Sequence, residues 1–163
     1  MPRLHLIWHS RTGTVQTLVQ AVLSALIHDK KISVRAIAAE QAVAPDLLEA
    51  DALIFMAPEN LGALSGMMKE FFDRHYYACL DQANGKAYAS VIAAGSDGQN
   101  AQRQLDRICT GLRLKRVSEG LIVLTGAQSK AQIEAQKQLS SAQIAPVLDL
   151  AQTMAEGLKL GIF

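Results

Sequence analysis

The segment Leu4-His5-Leu6-Ile7-Trp8-His9-Ser10-Arg11-Thr12-Gly13-Thr14 runs from apolar residues directly into a turn rich in hydroxyl groups. The apolar part has the length of a buried strand, and Gly13 permits a tight turn after it. Apolar residues then recur at the spacing of one helix face. They are Val15, Leu18, Val19, Val22, Leu23, Leu26 and Ile27. The sequence therefore predicts a strand, a short polar loop and a long helix.

Four further apolar runs outline the rest of a sheet. They lie at 32–37, 52–56, 87–94 and 117–124. Their alternation with helical periodicity is typical of a parallel sheet that is covered on both faces. We predict a three-layer, doubly wound α/β fold with a five-stranded parallel sheet in the order 2-1-3-4-5. Because no linker or repeat divides residues 1–163, we expect a single domain, in which 126–143 is a polar connection before a last helix.

Charge and cysteine content limit the classes of protein. The 163-residue chain has a formal net charge of +1, which gives no electrostatic reason to expect nucleic-acid binding. No apolar run approaches the ~20 residues of a membrane helix. Cys79 and Cys109 lack CxxC spacing, so free thiols are favoured, although a disulfide stays open. We expect a cytoplasmic protein with no nucleic-acid partner and no membrane partner, and we leave a homo-oligomer open.

Several doubly wound proteins require residues that this chain lacks. A response-regulator receiver needs acidic residues after the first and third strands, where this chain has His9-Ser10 and Ala57-Pro58. A low-molecular-weight phosphatase needs a cysteine in the first loop, and none is present. The Walker Gly-Lys-Ser/Thr motif and the Gly-x-Ser-x-Gly elbow are also missing. These classes are therefore excluded.

The loop after the first strand has the composition of an anion site. Ser10, Thr12 and Thr14 supply hydroxyl donors, and the next helix points its free N–H groups at the loop. Arg11 would add a fork of donors to a phosphate monoester. On the residues alone, an N-capping turn with an exposed arginine remains the alternative.

Residues 10–13, Ser-Arg-Thr-Gly, resemble the phosphate loop of flavodoxins. The family pattern is a hydroxyl residue, any residue, Thr-Gly, any residue, and then Thr or Ser. Val15 stands where the family usually has a hydroxyl, and Thr14 would compensate for it. The resemblance implies a flavodoxin-like domain that binds the phosphate of FMN in this loop.

The second and third loops resemble a narrower group within the same superfamily. Residues 58–62, Pro-Glu-Asn-Leu-Gly, and the helix with Lys69-Glu70-Phe71-Phe72-Asp73-Arg74 are similar to NAD(P)H-dependent FMN reductases and flavodoxin-like quinone reductases. In those families the Pro-x-x-x-Gly loop wraps the isoalloxazine edge, and the third loop contacts the ribityl chain and pyrimidine side. For residues 95–98 the alternative is a plain turn capped by Ser96 or Asp97. The implied cofactor-binding residues are Ser10, Arg11, Thr12, Gly13, Thr14, Val15, Pro58, Glu59, Asn60, Leu61, Gly62, Gly95, Ser96, Asp97 and Gly98.

The flavin loops lack the aromatic residues that sandwich the cofactor in electron-carrier flavodoxins, and the chain lacks their strongly acidic charge. Trp8 is interpreted as a core residue. For His9, beside the first loop, a hydrogen-bonded or solvent-facing side chain is favoured, and a contact with the ligand is the alternative. The missing aromatic residues and acidic charge favour an FMN-dependent oxidoreductase that uses NADPH or NADH to reduce quinones or other small acceptors. The alternative is a flavodoxin-type electron carrier with a redox partner protein. Because the cofactor would carry the chemistry, no catalytic side chain and no metal ligand are predicted.

Overall fold

The computed structural model describes residues 1–163 and is built around one sheet with mainly parallel strands. The strands are β1 (Arg3–Trp8), β2 (Ser33–Ala38), β3 (Ala52–Asn60), β4 (Ala63–Leu64), β5 (Ala87–Ala94), β6 (Lys115–Arg116) and β7 (Leu121–Leu124). The sheet order is β2-β1-β3-β5-β6, and β7 also pairs with β5. When β6 and β7 are counted as the two parts of the last strand, this is the predicted order 2-1-3-4-5. The predicted fold class is confirmed.

Helices cover both faces of the sheet. They are α1 (Thr14–Leu26), α2 (Ala44–Leu48), α3 (Gly66–Cys79), α4 (Gln99–Gly111), α5 (Lys130–Glu134) and α6 (Ser141–Lys159). Successive strand residues point to opposite faces. In β3, Ile54 and Met56 therefore pack in the core beneath α1 and α6, whereas Leu53 and Phe55 pack beneath α2, α3 and α4. These two cores produce the three layers.

The last strand of the sheet is interrupted. The predicted strand at 117–124 contains β7, but the chain first pairs with β5 through Lys115 and Arg116. Between these two short strands, Gly120 lies so close to the Gln102 side chain that a Cβ there would be 2.3 Å from it. The polar residues 118–120 and this close approach explain why the apolar run does not form one continuous strand.

The loop predicted from residue 57 onward is shorter than expected. β3 continues through Asn60 and turns back into β4, with Glu59 opposite Leu64 and Asn60 opposite Ala63. Leu61 and Gly62 form the turn, with φ values of 52° and 71°. Two consecutive positive φ values are the geometry of a two-residue type I′ hairpin turn. Residues 57–60 are therefore the end of β3, and 59–64 form a hairpin rather than an irregular loop.

None of the helices combines the length and the apolar composition that are needed to cross a membrane.

Candidate functional site

A cleft of about 630 Å³ lies where β1, β3, β5 and β7 end at their carboxyl termini. The chain crosses from β2 on one side of β1 to β3 on its other side, so this edge contains the topological switch point. Ligands of open α/β sheets bind at such a point. The cleft volume lies within the ~300–1,000 Å³ that is usual for small-molecule sites.

The first predicted loop forms one wall of the cleft. Of its six predicted residues, all but Gly13 line the cleft, namely Ser10, Arg11, Thr12, Thr14 and Val15. Arg11 is exposed, whereas Thr14 and Val15 are buried, with 6% and 1% of their surface accessible. The Val15 side chain belongs to the core beneath α1, so it leaves this position of the loop without a polar side chain.

Gly13 fixes the backbone conformation of the loop without lining the cleft. It is the N-cap residue of α1 with φ 97°, and its N–H donates to the Ser10 hydroxyl at 3.2 Å. The first helical bond runs from the Thr17 N–H to the Gly13 carbonyl at 2.9 Å. The N–H groups of residues 14–16 precede this bond and have no helical acceptor. With Arg11, they supply the donors that a phosphate monoester requires.

The β3–β4 hairpin forms the second wall. Pro58, Glu59, Asn60 and Leu61 line the cleft, whereas Gly62 completes the turn without lining it. The Leu61 side chain is fully exposed at the tip of the hairpin. A non-glycine residue with a left-handed backbone, such as Leu61 with φ 52°, is a feature that clusters at ligand sites.

The third predicted loop contributes less to the cleft than the sequence indicated. Gly95 lines the cleft, but Ser96, Asp97 and Gly98 do not. Gly98, with φ 84°, is the N-cap residue of α4, and no side chain caps that helix. Capping by Ser96 or Asp97, the alternative from the sequence, is therefore wrong. The buried N–H of Gly98 is instead satisfied by Glu59 Oε2 at 2.9 Å.

Further hydrogen bonds fix the hairpin to α4. Asn100 Nδ2 donates to the Gly62 carbonyl at 2.6 Å, and the Leu64 N–H donates to Gln104 Oε1 at 2.7 Å. With the bond between Glu59 and Gly98, they connect both strands and the turn of the hairpin to one helix. The second wall is therefore held in place before any ligand binds.

His9 connects the first wall to the start of α3. It is 5% exposed, and its Nδ1 lies 2.9 Å from Ser65 Oγ, while Nε2 lies 3.8 Å from Glu40 Oε1. Burial lowers the pKa of His9, although Glu40 opposes that shift. Ser65 occupies the N-cap position of α3, but its hydroxyl bonds His9 instead of a backbone N–H of the helix. Both side chains are structural links behind the cleft.

A further part of the cleft lining was not predicted from the sequence, from which 126–143 had no role in the site. Ala127, Ile133, Glu134 and Lys137 line the cleft from this segment, and Thr125 lines it just before the segment begins. One signal was available: Ser129 and Gln132 form a capping box that begins α5, and the Ser-x-x-Gln pattern is readable from sequence. The position of the segment over the cleft follows only from the tertiary structure.

The cleft lining combines polar and apolar residues and contains no aromatic side chain and no histidine. Its charged residues are Arg11, Glu59, Glu134 and Lys137. Trp8, at the end of β1, packs against the core beneath α1 and does not line the cleft. No group of three or more His, Cys, Asp or Glu side chains is arranged to hold a metal ion. The free N–H groups, the arginine and the volume fit a flavin mononucleotide.

Comparison with known families agrees with this site. The model of the NADPH-dependent FMN reductase family matches residues 14–129, and the chain belongs to this family. It is an FMN-binding oxidoreductase with a flavodoxin-like fold. No curated protein compared with the chain matches it.

Solved structures show the same fold at low sequence identity. An archaeal flavodoxin is 17% identical with a TM-score of 0.77, over 96% of this chain and 99% of that one. The flavodoxin WrbA-like protein from Agrobacterium tumefaciens is 20% identical with a TM-score of 0.63, over 94% and 99%. An NADPH-quinone reductase from P. pentosaceus is 15% identical with a TM-score of 0.64, over 95% and 98%.

Proposed function

We propose that the protein is an NAD(P)H-dependent reductase that transfers two electrons to quinones or other small acceptors, with FMN bound in the cleft. The observation that carries this proposal is the absence of an aromatic side chain from the cleft lining. When bound, FMN would accept a hydride from the nicotinamide and pass its electrons to the acceptor. An uncovered ring face would leave room for both substrates to stack in turn.

The three predicted loops would divide the binding of FMN among them. Residues 10–15 would hold the phosphate through hydroxyl groups, Arg11 and the free N–H groups of α1. The hairpin at 58–62 would lie along the isoalloxazine edge, and residues 95–98 would support the ribityl chain and the pyrimidine side. The hydrogen bond between Glu59 and Gly98 supports this division because it fixes the second loop relative to the third.

The charge of the protein also favours a reductase of small molecules. A dedicated electron carrier is steered to its partner protein by a strongly charged face. This chain has a formal net charge of +1. Small acceptors need no such steering, since they diffuse directly into a site.

Stopped-flow mixing of the FMN-loaded protein with NADPH or NADH under anaerobic conditions tests the proposal. We expect the flavin absorbance to bleach within seconds and to return when a benzoquinone is added. Dithionite is the control, because it reduces the flavin directly and does not need a nicotinamide site on the protein. A flavin that is reduced by dithionite but by neither nucleotide would contradict the reductase and favour a flavodoxin-type carrier.

We further propose that residues 1–163 form one FMN-binding domain that acts in the cytoplasm. The strands from Arg3 to Leu124 belong to one sheet, and α6 packs against α1, which joins the two ends of the sequence. Cys79 and Cys109 are buried free thiols. Free thiols are typical of proteins in reducing compartments.

A further inference from the structure

The segment between β7 and α6, residues 125–140, contributes part of the cleft lining. Lys159 at the end of α6 bonds Asp29 just after α1, with 2.6 Å between Nζ and Oδ2. The two helices also contact each other, so they run side by side in the same direction. Their N-terminal ends therefore lie at the same edge of the sheet. The segment that leads into α6 accordingly passes close to the loop that begins α1.

Lys137 is the residue of this segment whose ammonium group has a donor available for an anion. Its Nζ donates to the Ile133 carbonyl at 2.5 Å and to the Ala135 carbonyl at 2.7 Å. An ammonium group has three donors, so one remains. The two carbonyls hold the side chain in place, which reduces the entropy that ligand binding would otherwise cost.

The charge of Lys137 is not neutralised by a neighbouring carboxylate. Two acidic residues share the cleft lining with it, Glu59 and Glu134. Glu59 accepts from Gly98, and Glu134 lies 4.0 Å from Lys130. Arg11 and Lys137 are thus the two cations that line the cleft. A ligand with one strongly anionic group would satisfy both.

We propose that Lys137 binds the phosphate monoester of FMN together with the first loop, from the segment that leads into α6. It would add a charged contact to those of the loop, in which Val15 offers only a buried apolar side chain. This inference rests on the binding of FMN in the cleft. It adds a ligand from a part of the chain outside the three loops.

Titration of the apoprotein with FMN and with riboflavin, followed by quenching of flavin fluorescence, tests the proposal. We expect Lys137→Ala to weaken FMN binding on the order of ten- to a hundredfold, as the loss of a charge-assisted hydrogen bond does. Riboflavin has no phosphate, so its affinity should not change, which also shows that the variant is folded. Lys137→Arg keeps the charge and should restore most of the FMN affinity.

Lys115→Ala is the matched control, because Lys115 is an exposed lysine that does not line the cleft and whose side chain forms no ion pair. It should leave both affinities unchanged. If Lys137→Ala keeps the wild-type ratio of FMN to riboflavin affinity, Lys137 only caps α5 and the proposal is wrong. A Lys137→Ala variant that changes only the KM for NADPH would also overturn it. If the wild-type protein itself binds no FMN, the proposed function fails instead.

Discussion

The Glu59 carboxylate accepts a hydrogen bond from the backbone N–H of Gly98, with 2.9 Å between the two atoms. This bond joins the β3–β4 hairpin to the turn that begins α4. Gly98 is buried and has φ 84°, and a Cβ there would lie 2.8 Å from an Ile122 methyl group. Position 98 therefore requires a glycine. Its buried N–H requires an acceptor, which Glu59 supplies.

We expect Glu59→Ala to lower the free energy of unfolding by about 1–3 kcal/mol, because it leaves the buried Gly98 N–H without an acceptor. Glu59→Gln keeps an acceptor oxygen at the same position and should lose less. Urea denaturation of the apoprotein measures both. Equal stability of the Ala and Gln variants would show that the bond contributes nothing to the rigidity of the site.

Two substitutions separate the electrostatic and backbone contributions of the first loop. Arg11→Ala should weaken FMN binding but leave the stability of the apoprotein unchanged, because Arg11 is exposed there. Gly13→Val should lower both, since a β-branched residue is strained at φ 97° by about 1–2 kcal/mol or more. FMN titration and thermal unfolding distinguish the two effects. Wild-type FMN affinity in both variants would place the phosphate elsewhere.

The stability of the protein should fall when the pH drops below about 6.5, the ordinary pKa of the His9 side chain. Burial lowers the pKa of His9 in the folded state, so the unfolded chain binds the proton more readily. The stabilisation is complete above the unfolded pKa and is lost as the pH falls through the folded one. Urea midpoints measured from pH 8 to pH 5 would record this loss.

The matched variants for this pH effect are His9→Gln and His28→Gln. His28 is exposed, so its replacement should keep the wild-type pH profile. His9→Gln should lower the stability at pH 8 and flatten the profile between pH 7 and pH 5. If the stability of His9→Gln still fell steeply between pH 7 and pH 5, a group other than His9 would be responsible for the pH effect.

The sheet was predictable because its strands are short apolar runs separated by helical periodicity. The hairpin was not, because the register of Glu59 with Leu64 depends on a turn whose first residue is Leu61, and leucine rarely adopts a positive φ. Sequence indicated Gly62 as a turn residue and gave no reason to extend the strand to Asn60.

The candidate site was predictable where binding depends on local composition, as in residues 10–15. The site was not predictable where its residues are brought together by packing between distant parts of the chain. Lys137 follows a run of Gln and Ala with no pattern of its own, and only the parallel arrangement of α1 and α6 brings it to the cleft. Likewise, the partner of the Gly98 N–H lies 39 positions away in the chain.

Leu61→Trp tests whether an open flavin face is what makes the protein a reductase. Leu61 lines the cleft from the tip of the hairpin and is fully exposed, so a larger side chain would meet no core residue. Stacked aromatic pairs contribute ~0.5–1.5 kcal/mol, and a nicotinamide would have to displace such a pair. We therefore expect reduction by NADPH to slow by up to about tenfold, because ~1.4 kcal/mol corresponds to a factor of ten in rate. Leu61→Ala, which removes the side chain without covering the ring, should keep the wild-type rate, and dithionite should reduce all three proteins alike. If the Trp variant were reduced by NADPH as fast as the Ala variant, access to the ring would not depend on this wall of the cleft.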